Sequence, residues 1–400
     1  MRTRSSSLFA SAPLVLLVSL CACSDADDVP SHAATEGAGG VAASGGASST
    51  GGGGSGGDGG SGGADPCVAQ AAQFQALLDD GRDEAGARGA VLAISTEQCG
   101  LWAGASGEST ESQPMLPSHV LRMGSVTKTF VASVVLELYQ EQKLGLDDAL
   151  ADHWSGFPGG DTITLRQLLN HTSGIFNYTE DEDFFTAVLA EPEKVWTPDE
   201  LVALAATNPP YFAPGAGWHY SNTNYVLLGL VVESVTGAPV ATEIRARFLD
   251  TLPLAATSFD GEEPIVGELA HGYASNGDDV STQFDPSIAW AAGAMVASAG
   301  DLATWAQKLY GGSVLEPASL EAMVTGVDTD QPGLAYGLGA FVLDPSAALD
   351  VAYGHGGDIF GYHTHMFYLP NQKVAFAAIV NDDGASPNPI SVNVLEAIVQ

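Results

Sequence analysis

Strand-like runs lie near both ends of this chain, and helical patterns fill the space between them. GAVLAI (89–94) and CGLWAG (99–104) read as a strand pair closed by a short turn. Further strands are read at YGLGAFVL (336–343), GYHTHMFYL (361–369) and KVAFAAIV (373–380). Between them, residues 145–310 carry apolar residues mostly at helical spacing, as in TITLRQLLNHTSG (162–174) and YVLLGLVVESVTG (225–237), broken by Gly, Pro and Asn loops. Residues 125–142 read as a further helix and Ile390–Val399 as a closing one. Strands so far apart can share a sheet only if the two ends of the domain meet. The expected architecture is therefore α/β of the α+β kind: an antiparallel sheet built from the N- and C-terminal segments, flanked by helices, with an inserted all-helical lobe at about 145–310.

The folded part starts late. Residues 37–63 contain 15 glycines, with Ser and Ala making up most of the rest, and such a tract cannot bury a core. Before it, MRTRSSS and LFASAPLVLLVSL form a short basic region and an apolar run too short to span a bilayer, the pattern of an export signal over 1–22. Leu20-Cys21-Ala22-Cys23 resembles a lipobox in which Cys23 is acylated; an ordinary secretory signal cut nearby is the other reading. Residues 23–65 would then tether a domain at 66–400, with a coil span of about 35 Å. In an exported domain, Cys67 and Cys99 are expected to pair, two free thiols being the alternative. The net charge of −35 repels phosphate backbones, which makes nucleic acid a poor partner.

Only five lysines occur, and one stands in MGSVTKTF (123–130). On a helix, Lys128 shares a face with Val131, Ala132, Val135, Leu138 and Tyr139, while Thr129, Ser133, Glu137 and Gln140 take the other. An ammonium on an apolar face needs partners or is driven toward neutrality. Ser125 lies one turn earlier, near the helix start, so the pair can make an activated nucleophile. Ser-x-x-Lys alone is weak, because a helix lysine usually reaches solvent. Downstream, Tyr220-Ser221-Asn222 falls at a loop–helix junction. There Tyr220 can relay a proton, and Asn222 can hold both a substrate carbonyl and the lysine amine. A surface turn would carry the same three residues. His355-Gly356-Gly357 precedes a strand; its glycines would let a substrate lie along the strand edge, and the N–H of Asp358 could serve an oxyanion hole. An incidental histidine in a glycine-rich hairpin is the plain alternative.

Ser-x-x-Lys, Tyr-Ser-Asn and His-Gly-Gly in this order resemble the serine hydrolases that include class C β-lactamases and exported D-alanyl-D-alanine carboxypeptidases, with a penicillin-binding-like fold. The similarity runs from about Val120 to Asp382 and includes LLNHTSG (168–174), a structural signature of that family. The resemblance implies that Ser125 is acylated and that Lys128 assists its deprotonation. Tyr220 would exchange protons with the leaving group, and Asn222 would orient substrate and lysine. His355 would supply positive or hydrogen-bonding character opposite Tyr220, its cationic form being the expected active one. The N–H groups of Ser125 and Asp358 would hold the oxyanion. No cofactor is implied.

In the family the third motif is often Lys-Thr-Gly, and carboxypeptidases place hydroxyls and a basic side chain there to grip a free carboxylate. This chain has Gly356, Asp358, Ala340 and Phe341 instead, and an aspartate repels an incoming carboxylate. The leading expectation is a D-alanyl-D-alanine carboxypeptidase-like peptidase of the cell envelope, acting on a small peptide or peptidoglycan-derived substrate. An esterase, D-amino-acid amidase or β-lactamase of the same fold is the alternative, and a catalytically silent peptidoglycan-binding lipoprotein is the rival of another class. Membrane contact is expected only through the lipid anchor. Trp290 would line the cleft or pack in the core. His363 and His365 share a strand face and, with His355, could suggest a metal site, but no Cys or tight acidic cluster completes it.

Overall fold

The computed structural model describes residues 65–343 and 350–399; the export signal, Cys23 and the glycine tract fall outside the described residues. The first element, helix α1 (Pro66–Ala85), is absent from the sequence reading although its signals are local. Asp65 caps it by accepting from the Cys67 N–H, Pro66 occupies the first turn, and Gly86 closes it at φ 67°. Strands β1 (Gly89–Thr96) and β2 (Gly100–Thr110) then form the expected hairpin. Short strands β3 (Gln113–Pro114) and β4 (Val120–Arg122) lead to a 3-10 turn (Gly124–Val126) that runs directly into α2 (Thr127–Gln140).

The helix α2 is buried on nearly every side, as suits a central helix rather than a two-faced one. Thr129 and Ser133, placed on a polar face from the sequence, are fully buried. Their hydroxyls are satisfied: Thr129 accepts from the Trp305 indole N–H at 2.8 Å, and Ser133 donates to the Thr129 carbonyl at 2.7 Å. Tyr139, expected on the apolar side, is 43% exposed.

The helical insertion comprises α3 (Leu150–His153), α4 (Leu165–Leu169), α5 (Glu182–Ala190), α6 (Pro198–Thr207), α7 (Asn222–Thr236), α8 (Val240–Ile244) and a π turn (Arg245–Leu249). It stops there, well short of 310. Residues 250–294 are mainly irregular apart from β5 (Ser258–Phe259) and two 3-10 turns (Pro286–Ile288 and Trp290–Ala292), and β6 (Met295–Ser298) pairs with both β4 and β5 in a small sheet. The remaining elements are α9 (Ala299–Tyr310), α10 (Pro317–Val324), β7 (Val327–Asp328), β8 (Leu334–Tyr336), β9 (Phe341–Leu343), β10 (Ala352–Ile359), β11 (Tyr362–Leu369), β12 (Val374–Val380) and α11 (Asn388–Val399). The sequence boundary errs at α9, which packs on β1, β11 and β12 while Trp305 stacks on Phe130 of α2 at 4.0 Å.

The large sheet has the order β3-β2-β1-β12-β11-β10-β9-β8-β7, antiparallel at each pairing. Ala90 of β1 faces Val380 of β12, so the two ends of the domain meet in mid-sheet as expected. α1 and α11 pack together, with Gly81 so close to Ile390 that a Cβ would lie 2.7 Å from its Cα. The Cys67–Cys99 disulfide fixes the start of α1 to the β1–β2 turn across 32 residues. By chain entropy such a closure is worth about 3–4 kcal/mol.

One strand of the sequence reading is a hairpin. YGLGAFVL breaks at Gly337–Ala340 because Gly339, at φ 87°, turns the chain against α2, where a Cβ would sit 2.4 Å from the Ala132 methyl. The resulting β9 covers only residues 352–354 of β10. Residues 355–359 therefore pair with β11 alone and leave their other edge toward the Gly124–Val126 turn.

Candidate active site

That turn and that edge approach each other as closely as backbone allows. A Cβ on Gly357 would sit 2.0 Å from the Met123 carbonyl oxygen and 3.0 Å from the Ser125 nitrogen. A Cβ on Gly124, which adopts φ 51°, would sit 2.7 Å from the Asp358 nitrogen. The two motif glycines thus bring the Ser125 and Asp358 amides side by side, a different duty from the substrate access expected of Gly356 and Gly357. The turn is braced as well: Met123 N–H donates to the Met295 carbonyl at 3.1 Å and Thr127 Oγ1 donates to the Gly124 carbonyl at 2.7 Å.

Ser125 is partly exposed, and Lys128 one turn on is fully buried. Lys128 Nζ lies 2.8 Å from Ser125 Oγ, 2.7 Å from Asn222 Oδ1 and 2.7 Å from the Ala292 carbonyl oxygen. Two of these partners can only accept, so they take an N–H each whether the amine is charged or neutral. The third position is shared with Ser125, and the proton there can reside on Nζ or on Oγ. That is the arrangement a lysine base needs. Asn222 is itself fixed by donating from Nδ2 to Thr179 Oγ1 at 3.1 Å and from its backbone N–H to Asn177 Oδ1 at 3.0 Å. The Tyr220 ring lies under the lysine, its centroid 4.9 Å from Nζ, and its plane is 4° from that of Phe341.

Ala292, Asn177 and Thr179 were missed by the sequence reading. A main-chain carbonyl leaves no trace in residue identity, and the two side chains act through Asn222 rather than on a motif of their own. Trp290, at φ 36°, begins the 3-10 turn that carries Ala292. Its ring packs on α7, where a Cβ on Gly229 would come within 2.7 Å of it, and only 5% of the residue is exposed. It is a core residue under the site, not a cleft wall.

The expectation of a cationic His355 is overturned. Its ring is buried, and burial together with the Lys128 charge pushes its pKa down to about 3. Nδ1–H donates to the Gly356 carbonyl, so Nε2 is the acceptor, and it receives the Tyr336 hydroxyl at 2.8 Å. Burial drives the Tyr336 phenol well above its usual value, which keeps that proton in place. Asp358 is paired with His363 across the β10–β11 ladder. Burial opposes protonation of His363, but the hydrogen bond and charge of Asp358, with the charge of Asp383, outweigh it and raise its pKa. His365 Nδ1 lies 2.9 Å from Ser391 Oγ. The three histidines weighed as a metal set are thus committed to separate partners, and among the described residues no group of His, Cys, Asp or Glu is arranged to hold an ion.

Burial also pushes His365 down to about 4, and His171 well below its ordinary 6.5. Below pH 6.5 the unfolded chain takes up protons that these folded imidazoles refuse, so stability falls as pH drops. Each contributes a loss of at most roughly 1.4 kcal/mol per pH unit. Thermal melts should therefore show His365→Gln, which retains a partner for Ser391, losing less stability than the native protein between pH 7.5 and 5. An equal loss in both would refute the assignment.

A model of the beta-lactamase family matches residues 74–399. A solved D-stereospecific amidohydrolase from Streptomyces is 34% identical with a TM-score of 0.73, covering 81% of this chain and 98% of its own. The D-amino acid amidase of Ochrobactrum anthropi SV3 is 27% identical with a TM-score of 0.74, covering 82% and 98%. The putative penicillin-binding protein PbpX of Bacillus subtilis is 29% identical over 55% of this chain and 53% of its own length. The chain spans about half or less of the curated relatives it matches most strongly. With the matched segment running through the Ser125 turn, the α7 junction and β10, the chain belongs to the beta-lactamase family of serine hydrolases.

Proposed function

We propose that this protein is an exported acyl-serine hydrolase whose substrates are D-amino-acid amides, or small esters of similar shape, in preference to peptides ending in D-Ala-D-Ala. The observation that carries this reading is the lack, among the described residues, of a lysine or arginine placed to hold a substrate carboxylate. Thirteen Lys and Arg occur, two of them (Arg2 and Arg4) before the folded part. Lys128 is spent on Ser125, and eight of the others are tied to Asp or Glu in ion pairs. Arg88 lies over the Tyr273 ring, and Lys308 is in the last turn of α9. His355 is neutral, and the Asp358 carboxylate is paired with His363. A carboxypeptidase would have to seat its substrate anion without a lysine or arginine to hold it. The amidases among the structural relatives support the same choice.

In this mechanism Lys128 reacts as the neutral amine: Ser125 Oγ attacks the acyl carbon as its proton passes to the lone pair of Lys128 Nζ. The amides of Ser125 and Asp358 receive the charge developing on the carbonyl oxygen. Tyr220, beside Nζ, conveys the proton to the departing amine, and the C–N bond breaks. Water then attacks the acyl-serine, returns its proton through the same groups and releases the acid.

The test is a panel of D-alaninamide, D-phenylalaninamide, a D-Ala-D-Ala peptide, nitrocefin and short p-nitrophenyl esters, with fluorophosphonate and fluorescent penicillin labelling followed by intact mass. Amide or ester turnover above D-Ala release, with adducts lost in Ser125→Ala, is the expected result. Faster D-Ala release would reinstate the carboxypeptidase. No adduct with either reagent would leave the silent binding lipoprotein.

A further inference from the structure

Tyr220 and Asn222 flank Ser221 at the start of α7, and that helix end is not held by its own cap. The Ser221 hydroxyl makes no bond to the first turn and instead donates to the Phe176 carbonyl at 3.3 Å. The restraint comes from outside. We infer that His171 is a positioning residue of the serine–lysine site: its Nδ1 and its carbonyl oxygen together fix the segment His219–Asn224 that carries Tyr220 and Asn222. The inference rests on the acyl-serine reading and adds a residue to it.

Three bonds converge on this one residue. The His219 N–H donates to the His171 carbonyl at 3.0 Å, and the Ser221 N–H donates to His171 Nδ1 at 3.2 Å. Asn224 Nδ2 lies 3.2 Å from the same Nδ1 and donates to it. They bracket Tyr220 on both sides, and the Tyr220 ring itself packs on the imidazole with centroids 4.3 Å apart. Ser173 and Asn177, from the same stretch of chain, complete the cradle by binding Asn224 Oδ1 at 2.8 Å and the Asn222 N–H at 3.0 Å.

Because Nδ1 receives two N–H groups, it carries no proton. The ring is completely buried, and burial and the nearby Lys128 charge both oppose protonation. His171 adopts φ 62°, in the left-handed region that glycine enters freely and that histidine shares with asparagine among the few other residues found there. Among the described residues the ring's hydrogen bonds run to Ser221 and Asn224, in the segment bearing Tyr220 and Asn222.

Two substitutions separate acceptor from packing. His171→Phe keeps a ring and removes the acceptor; His171→Asn suits the left-handed backbone and keeps an acceptor near Nδ1. The readout is the fluorophosphonate acylation rate of Ser125, with thermal melts reporting the fold. His171→Phe should label about 100-fold more slowly, the scale of a catalytic group displaced by about 1 Å, and His171→Asn should stay within about tenfold of native. A purely structural ring would give the reverse order. Labelling of His171→Phe at the native rate would overturn the inference, as would a folded His171→Asn as slow as His171→Phe. If His171→Phe does not fold, His171→Asn decides alone on the same tenfold limit. Failure of the native protein to label would remove the acyl-serine reading itself, and this inference with it.

Discussion

Lys128→Met should give a folded protein that acylates Ser125 on the order of 10³-fold more slowly than the native chain, near the middle of the range for losing a positioned base. Methionine matches the length of the lysine stem and fills its buried channel, so no cavity opens. What disappears is the amine that lies 2.8 Å from Ser125 Oγ and can take its proton. The stability change is a balance. Asn222 Oδ1 and the Ala292 carbonyl each lose a donor, at about 1–3 kcal/mol per orphaned acceptor. Against this, an ammonium no longer has to be buried, which on its own favours the apolar side chain. The rate loss should therefore far exceed anything a denaturant melt reveals. Lys128→Arg sharpens the point, since a guanidinium keeps the charge and cannot give up a proton. Equal slowness in both variants identifies proton acceptance as the function of Lys128; a fast Lys128→Arg would show that charge alone matters. Native-rate labelling of Lys128→Met would remove lysine from the mechanism.

What sequence disclosed about this site follows from how local each relation is. Ser125 and Lys128 lie one helical turn apart, and helical spacing alone puts them together. Tyr220 and Asn222 were legible because a Pro-Gly loop meets an apolar helix at their position, and β1 and β12 because both are short apolar runs. The relations that failed depend on register or depth. The Asp358–His363 pair exists only because β10 and β11 align those residues opposite each other. The neutrality of His355 depends on burial and on the Lys128 charge, and its hydroxyl partner Tyr336 lies on a strand that the spacing merges with β9 because Gly339 disguises the turn between them. Ala292 contributes a carbonyl, which any residue would supply. Thr129 and Ser133 look like a solvent face because nothing in their spacing shows Trp305 arriving from a segment more than 170 positions away.

The narrow approach of β10 to the nucleophile turn carries the other large effect. Gly357→Ala should cut kcat/KM by about 10²–10³-fold, the scale of losing one oxyanion donor. The new methyl carbon would lie 2.0 Å from the Met123 carbonyl oxygen, far inside contact distance, so strand or turn must retreat. Neither has slack. The turn is tied to β6 through Met123 and Met295, and Gly124 is already pressed on the Asp358 backbone from the other side. Any retreat separates the Ser125 and Asp358 amides, and two donors that no longer converge stabilise an oxyanion poorly. Overpacking also costs about 1–3 kcal/mol of stability, so a control must lose stability without moving the site. Gly86→Ala supplies it: Gly86 closes α1 at φ 67° with nothing within 4 Å of a new Cβ, so only backbone strain is added, about 1 kcal/mol. If both variants melt lower and only Gly357→Ala loses turnover, the spacing between strand and turn is what catalysis requires. If Gly357→Ala turns over normally, Asp358 N–H is not an oxyanion donor, and the second donor must be sought elsewhere around Ser125.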